Sequence, residues 1–198
     1  MELLILTYFH TILGPKITHV LRLDESTKPF KLPVDLEEQV KLLFDSKIDE
    51  GFFSFGFKKY LTANYYFQIP SDWARGNQEM LSLSILTDTK KPGMYKTPLK
   101  EGAARFKATP DIYKGFYAKR RDEVEEIKKN QEEIKNILIK ICQDAILIEK
   151  IEIVDQKRHI KARNNKRDKA RDLERDEKRD RDRDKARDME WDKARDRD

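Results

Sequence analysis

The sequence predicts an α+β fold in which helices flank a five-stranded antiparallel sheet, followed by a long C-terminal helix and a charged tail. Three observations lead to this prediction. Two apolar segments near the start are separated by a Gly-Pro turn, three runs of alternating apolar residues follow in the middle, and apolar residues recur at helical spacing in the last third. The predicted order of elements is β-β-α-β-β-β-α-α.

The first two strands are predicted over residues 3–9 and 16–23, joined as a hairpin by a loop of about five residues. Both segments are rich in β-branched and large apolar side chains. Gly14 accepts the positive φ that a tight turn needs, and Pro15 has no amide to donate to a strand ladder.

A helix is predicted next, with Asp35 as its N-cap and Glu38 at its third position. Its large apolar side chains form one stripe: Leu36, Val40, Leu43 and Phe44. Such a stripe is typical of an amphipathic helix.

Three successive strands are predicted where apolar residues alternate with small or polar ones. The apolar members are Phe53, Phe55 and Phe57, then Tyr65, Phe67 and Ile69, then Leu81, Leu83 and Ile85. Period-two runs in succession indicate an antiparallel meander with one face on a core. The second connection, residues 70–79, is long and carries Trp73 and Arg75.

Beyond residue 88 the pattern becomes helical. A short helix is predicted over residues 98–108, and Pro110 is expected to open a long one. The long helix carries one apolar stripe: Ile127, Ile134, Leu138, Ile141, Ala145 and Ile148, widened by Leu147, Ile151 and Ile153. Because the stripe is wide, we expect it to pack on a sheet or bundle rather than in a two-stranded coil.

The tail has an internal xxRD repeat, with Asp at every fourth position from 168 to 196. On a helix each Asp would attract an Arg three residues later by about 0.2–0.5 kcal/mol, but like charges four residues apart oppose this by similar amounts. We therefore expect a weakly helical or disordered tail over residues 165–198. The predicted divisions are a domain at 1–150, a helical extension or linker at 151–164, and this tail.

Composition argues against a strongly basic nucleic-acid-binding face. The net charge is +5, but residues 161–198 hold 16 Lys or Arg and 13 Asp or Glu, which leaves 26 basic and 24 acidic residues in the rest. The single cysteine, Cys142, is expected to be a buried thiol in a reducing compartment. No apolar run reaches the length of a membrane span, and the start does not resemble a signal peptide. We expect a cytoplasmic protein, and peripheral association with endomembranes stays open.

No motif indicates catalysis. The three histidines have no partner at metal-ligand spacing, no nucleotide-binding glycine loop occurs, and paired glutamates lie on predicted helices with Lys on the next turn. We therefore expect no metal, no cofactor and no enzymatic activity.

Three features point instead to a partner. Lys58 and Lys59 at a strand end could meet an acidic surface, although a solvated strand end explains them more simply. Trp73 in a loop is either tucked under it or offered to a partner. Arg75 in the same loop could act as an arginine finger.

The segment Phe9 to Thr18, FHTILGPKIT, resembles the first hairpin of the nitrogen permease regulator-like proteins, whose pattern is FHPTLGPKIT. Only Thr11 and Ile12 depart from it. Lys58-Lys59-Tyr60 and the apolar strand after it resemble the KKY segment of the same family. The Leu-Gly-Pro turn is shared more loosely with longin domains associated with DENN domains. The resemblance covers about residues 1–150 and implies a longin-like fold.

The resemblance also implies a regulator of Rag-type GTPases in a hetero-oligomer, one subunit of which supplies a catalytic arginine two residues after the KKY segment. The matching position here is Thr62. A hydroxyl cannot replace a guanidinium, which is worth roughly 10³–10⁵ in rate. GTPase activation by this route is therefore not expected.

Our main hypothesis is a non-catalytic longin-type adaptor that binds a small Rag- or Arf-like GTPase, a second longin or roadblock-like chain, or a second copy of itself. The predicted interface comprises Ile12, Leu13, Gly14, Pro15, Lys16, Lys58, Lys59, Trp73 and Arg75. Two alternatives stay open: an RNA- or ribonucleoprotein-associated protein that binds nucleic acid only through its tail, and a GTPase-activating protein that uses Arg75.

Overall fold

A computed structural model of the chain describes residues 2–10, 12–24, 27–44, 49–57, 60–74, 76–88, 91–117 and 124–195. The strands are β1 (Leu3–His10), β2 (Gly14–Arg22), β3 (Gly51–Phe57), β4 (Tyr60–Pro70) and β5 (Gln78–Thr87). The helices are α1 (Val34–Leu42), α2 (Lys96–Ala108) and α3 (Val124–Arg195), with 3₁₀ turns at Pro92–Tyr95 and Ile112–Phe116. The α+β class, the five-stranded antiparallel sheet and the long C-terminal helix are confirmed.

The strands lie in the order β2-β1-β5-β4-β3, and every pair is antiparallel. The predicted hairpin and meander are both confirmed, with two corrections. The hairpin loop, residues 11–13, is shorter than the five residues predicted, and β5 is buried on both faces rather than on one, because helices cover both sides of the sheet. Strand β1 is an inner strand with helices on both faces, which explains why its first six residues are all buried, without alternation. Leu4, Leu6 and Tyr8 point into the core under α2 and α3, whereas Leu3 and Ile5 point into a smaller core under α1.

Helix α1 begins two residues earlier than predicted. Pro33 is its N-cap, and the Pro33 carbonyl accepts hydrogen bonds from the amides of Leu36 (3.1 Å) and Glu37 (3.0 Å). Asp35 therefore lies in the first turn and is not the cap, which corrects the prediction. Its carboxylate is still favourably placed, because the N-terminal end of a helix attracts negative charge.

The other face of the sheet is covered by α2 and the first turns of α3. Ile134, Leu138, Ile141 and Ala145 are buried there, which confirms that the apolar stripe packs on a sheet. Gly102 of α2 allows close contact, since a Cβ at this position would come within 2.3 Å of the Ile141 side chain.

Two details of the long helix differ from the sequence prediction. Pro110 does not open it: residue 110 lies in a turn, a 3₁₀ turn follows, and α3 begins at Val124. Leu147, Ile151 and Ile153 do not widen the buried stripe, because their side chains are more than half exposed. Leu147, within the first unit, lies off the 3.6-residue repeat set by Leu138, Ile141 and Ala145, so it points away from the core.

The chain divides into two compact units, residues 1–150 and 151–198. Residues 151–195 of the second unit are part of α3. That the tail over residues 165–198 is weakly helical or disordered in solution stays a prediction. Cys142 is buried as expected, and burial raises the pKa of its thiol to about 12. Within the described residues, no helix has both the length and the apolarity of a membrane span.

Candidate partner-binding surface at the first hairpin

The turn between β1 and β2 is held by a histidine. The His10 Nδ1 atom accepts hydrogen bonds from the amides of Ile12 (3.2 Å) and Leu13 (3.3 Å), and Gly14 takes a φ of +72° to start β2. These contacts fix the backbone of the tip while its side chains face solvent. Ile12 is 85% exposed and Leu13 is 70% exposed. An ordered turn that presents two adjacent apolar side chains is suited to contact with another protein.

Aromatic rings pack beside the imidazole of His10. Its imidazole lies 6.1 Å from the ring of Tyr8 and 6.3 Å from that of Tyr117, between centroids. Tyr117 and Tyr113 each contact the indole of Trp73 edge-on, at 5.4 Å. Trp73 is thus partly buried between two tyrosines, which fits the tucked alternative for its ring.

A buried carboxylate anchors the loop that carries Trp73. Glu79 is 1% exposed, and its Oε1 accepts hydrogen bonds from the Ser71 hydroxyl (3.1 Å) and from the Tyr117 hydroxyl. The Ser71 Oγ atom in turn accepts from the amides of Trp73 and Ala74, both at 3.2 Å. Burial and the nearby Glu79 carboxylate raise the pKa of the Tyr117 hydroxyl, which therefore stays a donor. This network fixes the loop relative to β5.

A lysine-lined groove adjoins the hairpin tip. It has a volume of about 600 Å³ and lies between β2 and α3. Lys16, Lys128 and Lys135 line it together with Glu132, which accepts a hydrogen bond from Lys135 at 3.3 Å. An apolar tip beside a mostly basic groove is complementary to a partner with an apolar contact patch and acidic surroundings.

The structure brings some of the predicted interface residues together. Ile12, Leu13, Gly14, Pro15 and Lys16 form the hairpin tip and the start of β2, and the Trp73 loop lies at the same end of the sheet. Lys58, Lys59 and Arg75 lie outside the described residues.

The flanks of the β3–β4 connection show where that end of the meander lies. Phe57 pairs with Tyr60, and the next residue of β4 pairs with Thr87, at the end of the sheet where β1 begins. The hairpin tip is at the opposite end. A single compact contact surface would therefore not include both the hairpin tip and the end of the sheet where β3 and β4 are joined. Whether the residues predicted at either end bind a partner stays a prediction.

Thr62 is buried within the sheet. Its side chain is fully buried, its hydroxyl donates to the carbonyl of Phe55 (3.1 Å), and its Oγ1 accepts from the Asn64 amide (2.9 Å). A side chain in this setting has no surface to offer to the nucleotide of a partner.

Sequence reasoning missed His10, Tyr117 and Glu79 as parts of this surface. A histidine a few residues before a Gly-Pro turn is a usable signal, because its ring can accept from turn amides. The Glu79–Tyr117 contact has no such signal, since it joins residues far apart in sequence. Among the described residues, no group of His, Cys, Asp and Glu is arranged to hold a metal ion.

Comparison of the chain with protein-family models and with curated proteins gives no match.

Proposed function

We propose that this chain is a non-catalytic, longin-type adaptor that binds a small GTPase of the Rag or Arf type through the tip of its first hairpin. The observation that carries the proposal is the exposed pair Ile12 and Leu13 on a turn whose amides are held by His10. Such an ordered apolar turn loses little conformational freedom on binding, so more of the contact energy remains as affinity.

Two further observations support this proposal. The order of elements, with a hairpin, one helix, a meander and then helices, is similar to that of longin-like folds, which the resemblance of the hairpin motif also implies. The groove beside the tip carries Lys16, Lys128 and Lys135, which would steer an acidic partner surface toward the tip. Loss of such lysines should lower the association rate more than it raises the dissociation rate.

A double substitution of the tip tests the proposal. Ile12→Ser with Leu13→Ser removes both apolar side chains and leaves the His10 contacts to the backbone. The control is Val34→Ser with Leu42→Ser, which removes a second exposed apolar pair, 73% and 61% exposed, on α1. Trp73→Ala is a poorer test, because the indole packs on two tyrosines and its loss would disturb the loop.

Binding is measured by biolayer interferometry against immobilised Rag-type and Arf-type GTPases, each loaded with GDP or with a non-hydrolysable GTP analogue. We expect nucleotide-dependent binding to one class, weakened about tenfold or more by the tip variant and unchanged by the control. Absence of binding to either class, or equal loss in both variants, would contradict the proposal.

The same set of proteins tests the RNA-binding alternative. A second series compares the full chain with residues 1–160 on a single-stranded RNA at increasing salt. Binding that is steeply salt-dependent and is lost with the tail would favour that alternative. GTPase binding retained by 1–160 would favour the adaptor.

A further inference from the structure

An apolar cavity of about 340 Å³ lies at the edge of the sheet, between β2, the segment that follows this strand, and α3. Backbone hydrogen bonds fix that segment on β2. The Phe30 amide donates to the Val20 carbonyl at 2.8 Å. The Arg22 amide donates to the Lys28 carbonyl at 3.0 Å. Thr18 forms a bulge in the pairing of β2 with β1. Because β2 is an edge strand, side chains from both of its faces line the cavity.

The wall of this cavity is mostly apolar. Six of the side chains that line it are apolar and are buried or half-buried: Ile17, Val20, Leu21, Phe30, Leu32 and Ile139. Glu37 is the one carboxylate among the described residues of the wall, and Lys41 already pairs with it at 2.6 Å. A mostly apolar cavity of this volume is at the lower end of the range for small-molecule sites, about 300–1,000 Å³.

The apolar cavity adjoins the lysine-lined groove, since the same part of β2 and Lys135 line both. The imidazole of His19 also lines both, so it lies where the two meet. Burial lowers the pKa of this imidazole, and the ring is therefore uncharged near pH 7. A hydrocarbon chain that crosses the junction buries no imidazolium charge.

The lysine-lined groove supplies positive charge beside the cavity. Lys135 pairs with Glu132 at 3.3 Å. Lys16 and Lys128 are exposed, and in the part of the chain that the structure describes no carboxylate pairs with either of them. Opposite charges attract each other more strongly beside the low-dielectric wall of a protein than in bulk water. The groove is therefore suited to a negatively charged group.

We propose that the apolar cavity and the lysine-lined groove together bind a small amphipathic anion, a carboxylate with a medium-length hydrocarbon chain. The chain would pack on the apolar wall, and the carboxylate would lie in the groove near Lys16 and Lys128. A purely polar anion would leave the apolar wall uncovered, and an uncharged hydrocarbon would leave both lysines without a partner. An extended peptide suits the site less, because residues 28–30 already cover the edge of β2 beside Val20. This binding does not depend on the proposed GTPase binding.

The dependence of affinity on chain length tests the apolar half of the site. The full chain, labelled with ¹⁵N, is titrated with decanoate, undecanoate and dodecanoate below the concentrations at which they form micelles, and amide resonances are followed by NMR. The amides of Ile17, Val20 and Ile139 should shift. We expect a dissociation constant on the order of 100 μM for dodecanoate. Each methylene that is removed from the buried chain should raise this constant about fourfold.

A substitution that fills the cavity tests where the hydrocarbon chain lies. Ile139→Trp places a larger side chain in the cavity and should weaken dodecanoate binding about tenfold or more. Leu147→Trp is the matched control, because it makes the same change on the same helix at a side chain that is 58% exposed and lines neither the cavity nor the groove. The control should bind dodecanoate as the unmodified chain does.

A double substitution tests the charged half of the site. Lys16→Gln with Lys128→Gln removes both unpaired ammonium groups and should weaken dodecanoate binding about tenfold. The control, Lys100→Gln with Lys129→Gln, changes the net charge equally at two exposed lysines that line neither the cavity nor the groove. Circular dichroism and thermal unfolding of every variant establish that it is folded.

The titrations contain no GTPase, so their failure is distinct from failure of the proposed function. The proposal is overturned if no carboxylate shifts the cavity amides up to about 10 mM, a hundredfold above the expected dissociation constant. It is also overturned if the three chain lengths bind equally, or if either pair of variant and control binds equally. An acidic peptide of ten residues is titrated in the same way. If it shifts these amides at lower concentration than dodecanoate does, the site takes a peptide and the proposal is wrong.

Discussion

Replacing Glu149 by glutamine should make the protein more stable above pH 7 and leave its stability near pH 4 unchanged. Glu149 of α3 lies beside Glu2, and the Tyr95 hydroxyl donates to both carboxylates, at 3.1 Å to Glu2. The Thr87 hydroxyl also donates to Glu2, at 2.9 Å. Burial, followed by the hydrogen bond and the charge of Glu2, raises the pKa of Glu149 from its ordinary 4.5 to about 7.

The upward shift of the Glu149 pKa determines how the stability of the protein changes with pH. Because the fold raises this pKa, the contribution of Glu149 to stability is complete below about pH 4.5 and is lost as the pH rises through about 7. The whole difference in pKa would correspond to at most ~3.4 kcal/mol. Solvent still reaches part of the side chain and screens the charge, so we expect ~1 kcal/mol.

Urea unfolding of the wild type and of Glu149→Gln, followed by near-ultraviolet circular dichroism between pH 4 and pH 8, measures this effect. The free energies of unfolding should agree near pH 4, and the variant should be more stable by ~1 kcal/mol near pH 8. His19, whose pKa is lowered by burial, is present in both proteins and cancels in the difference. Glu133→Gln, at an exposed site on the same helix, is the control. A difference between wild type and Glu149→Gln that stays constant from pH 4 to pH 8 would refute the reasoning.

Three other predictions concern packing, a buried hydrogen bond and the tail. Gly102→Val should lower the free energy of unfolding by about 1–3 kcal/mol, because its Cβ would overlap an α3 isoleucine, whereas Gly93→Val, where nothing lies within 4 Å, should change it little in thermal unfolding. Tyr117→Phe leaves the buried Glu79 with one donor fewer and should cost about 1–3 kcal/mol in urea unfolding, part of which Glu79→Gln in the same chain should recover. A peptide of residues 165–198 should show only weak helical circular dichroism, and a strongly helical spectrum would contradict the expected cancellation of attractive and repulsive pairs.

The strands could be predicted because their patterns are local. Alternation through Phe53, Tyr65 and Leu81 indicated the strands, and the Gly-Pro turn indicated the hairpin. Alternation did not predict which faces are buried, because Ser82 and Ser84 of β5 are buried together with Leu81 and Leu83. The apolar stripe of α3 could also be predicted as far as Ala145, because residues at helical spacing share one face of the helix. Beyond Ala145 the helix still contains apolar residues such as Ile151, but their side chains are exposed, so the prediction that they widen the buried stripe was wrong.

The surface at the hairpin could be predicted only in part, because its support comes from contacts between distant residues. The Tyr117 hydroxyl donates to Glu79, which is 38 positions away in the sequence. The Trp73 ring contacts Tyr113, although the whole of α2 separates these two residues in the sequence. Neither contact has a spacing that a sequence pattern could show. Asp111, with a φ of +56°, turns the chain into the 3₁₀ segment. Asp tolerates this left-handed conformation, but the sequence prediction took Pro110 as the start of the long helix instead.

The structure also shows what each position of the hairpin motif does. Phe9 packs on Phe44 with ring centroids 6.4 Å apart, His10 holds the turn amides, and Thr18 donates to the Leu6 carbonyl at the bulge, at 3.3 Å. These matching positions have structural roles, so their resemblance to the nitrogen permease regulator-like pattern is evidence about the hairpin more than about the partner.

Ile12 is different, because it departs from that pattern and is 85% exposed. A partner that contacts the tip would therefore meet a residue that the resembling proteins do not share. If Ile12→Ser alone weakens GTPase binding as much as the double tip variant, partner choice is set at the position where this chain differs, and a partner cannot be assigned from the resemblance. If Leu13→Ser carries the loss instead, the contact rests on the shared leucine, and Rag-type GTPases become the first class to test.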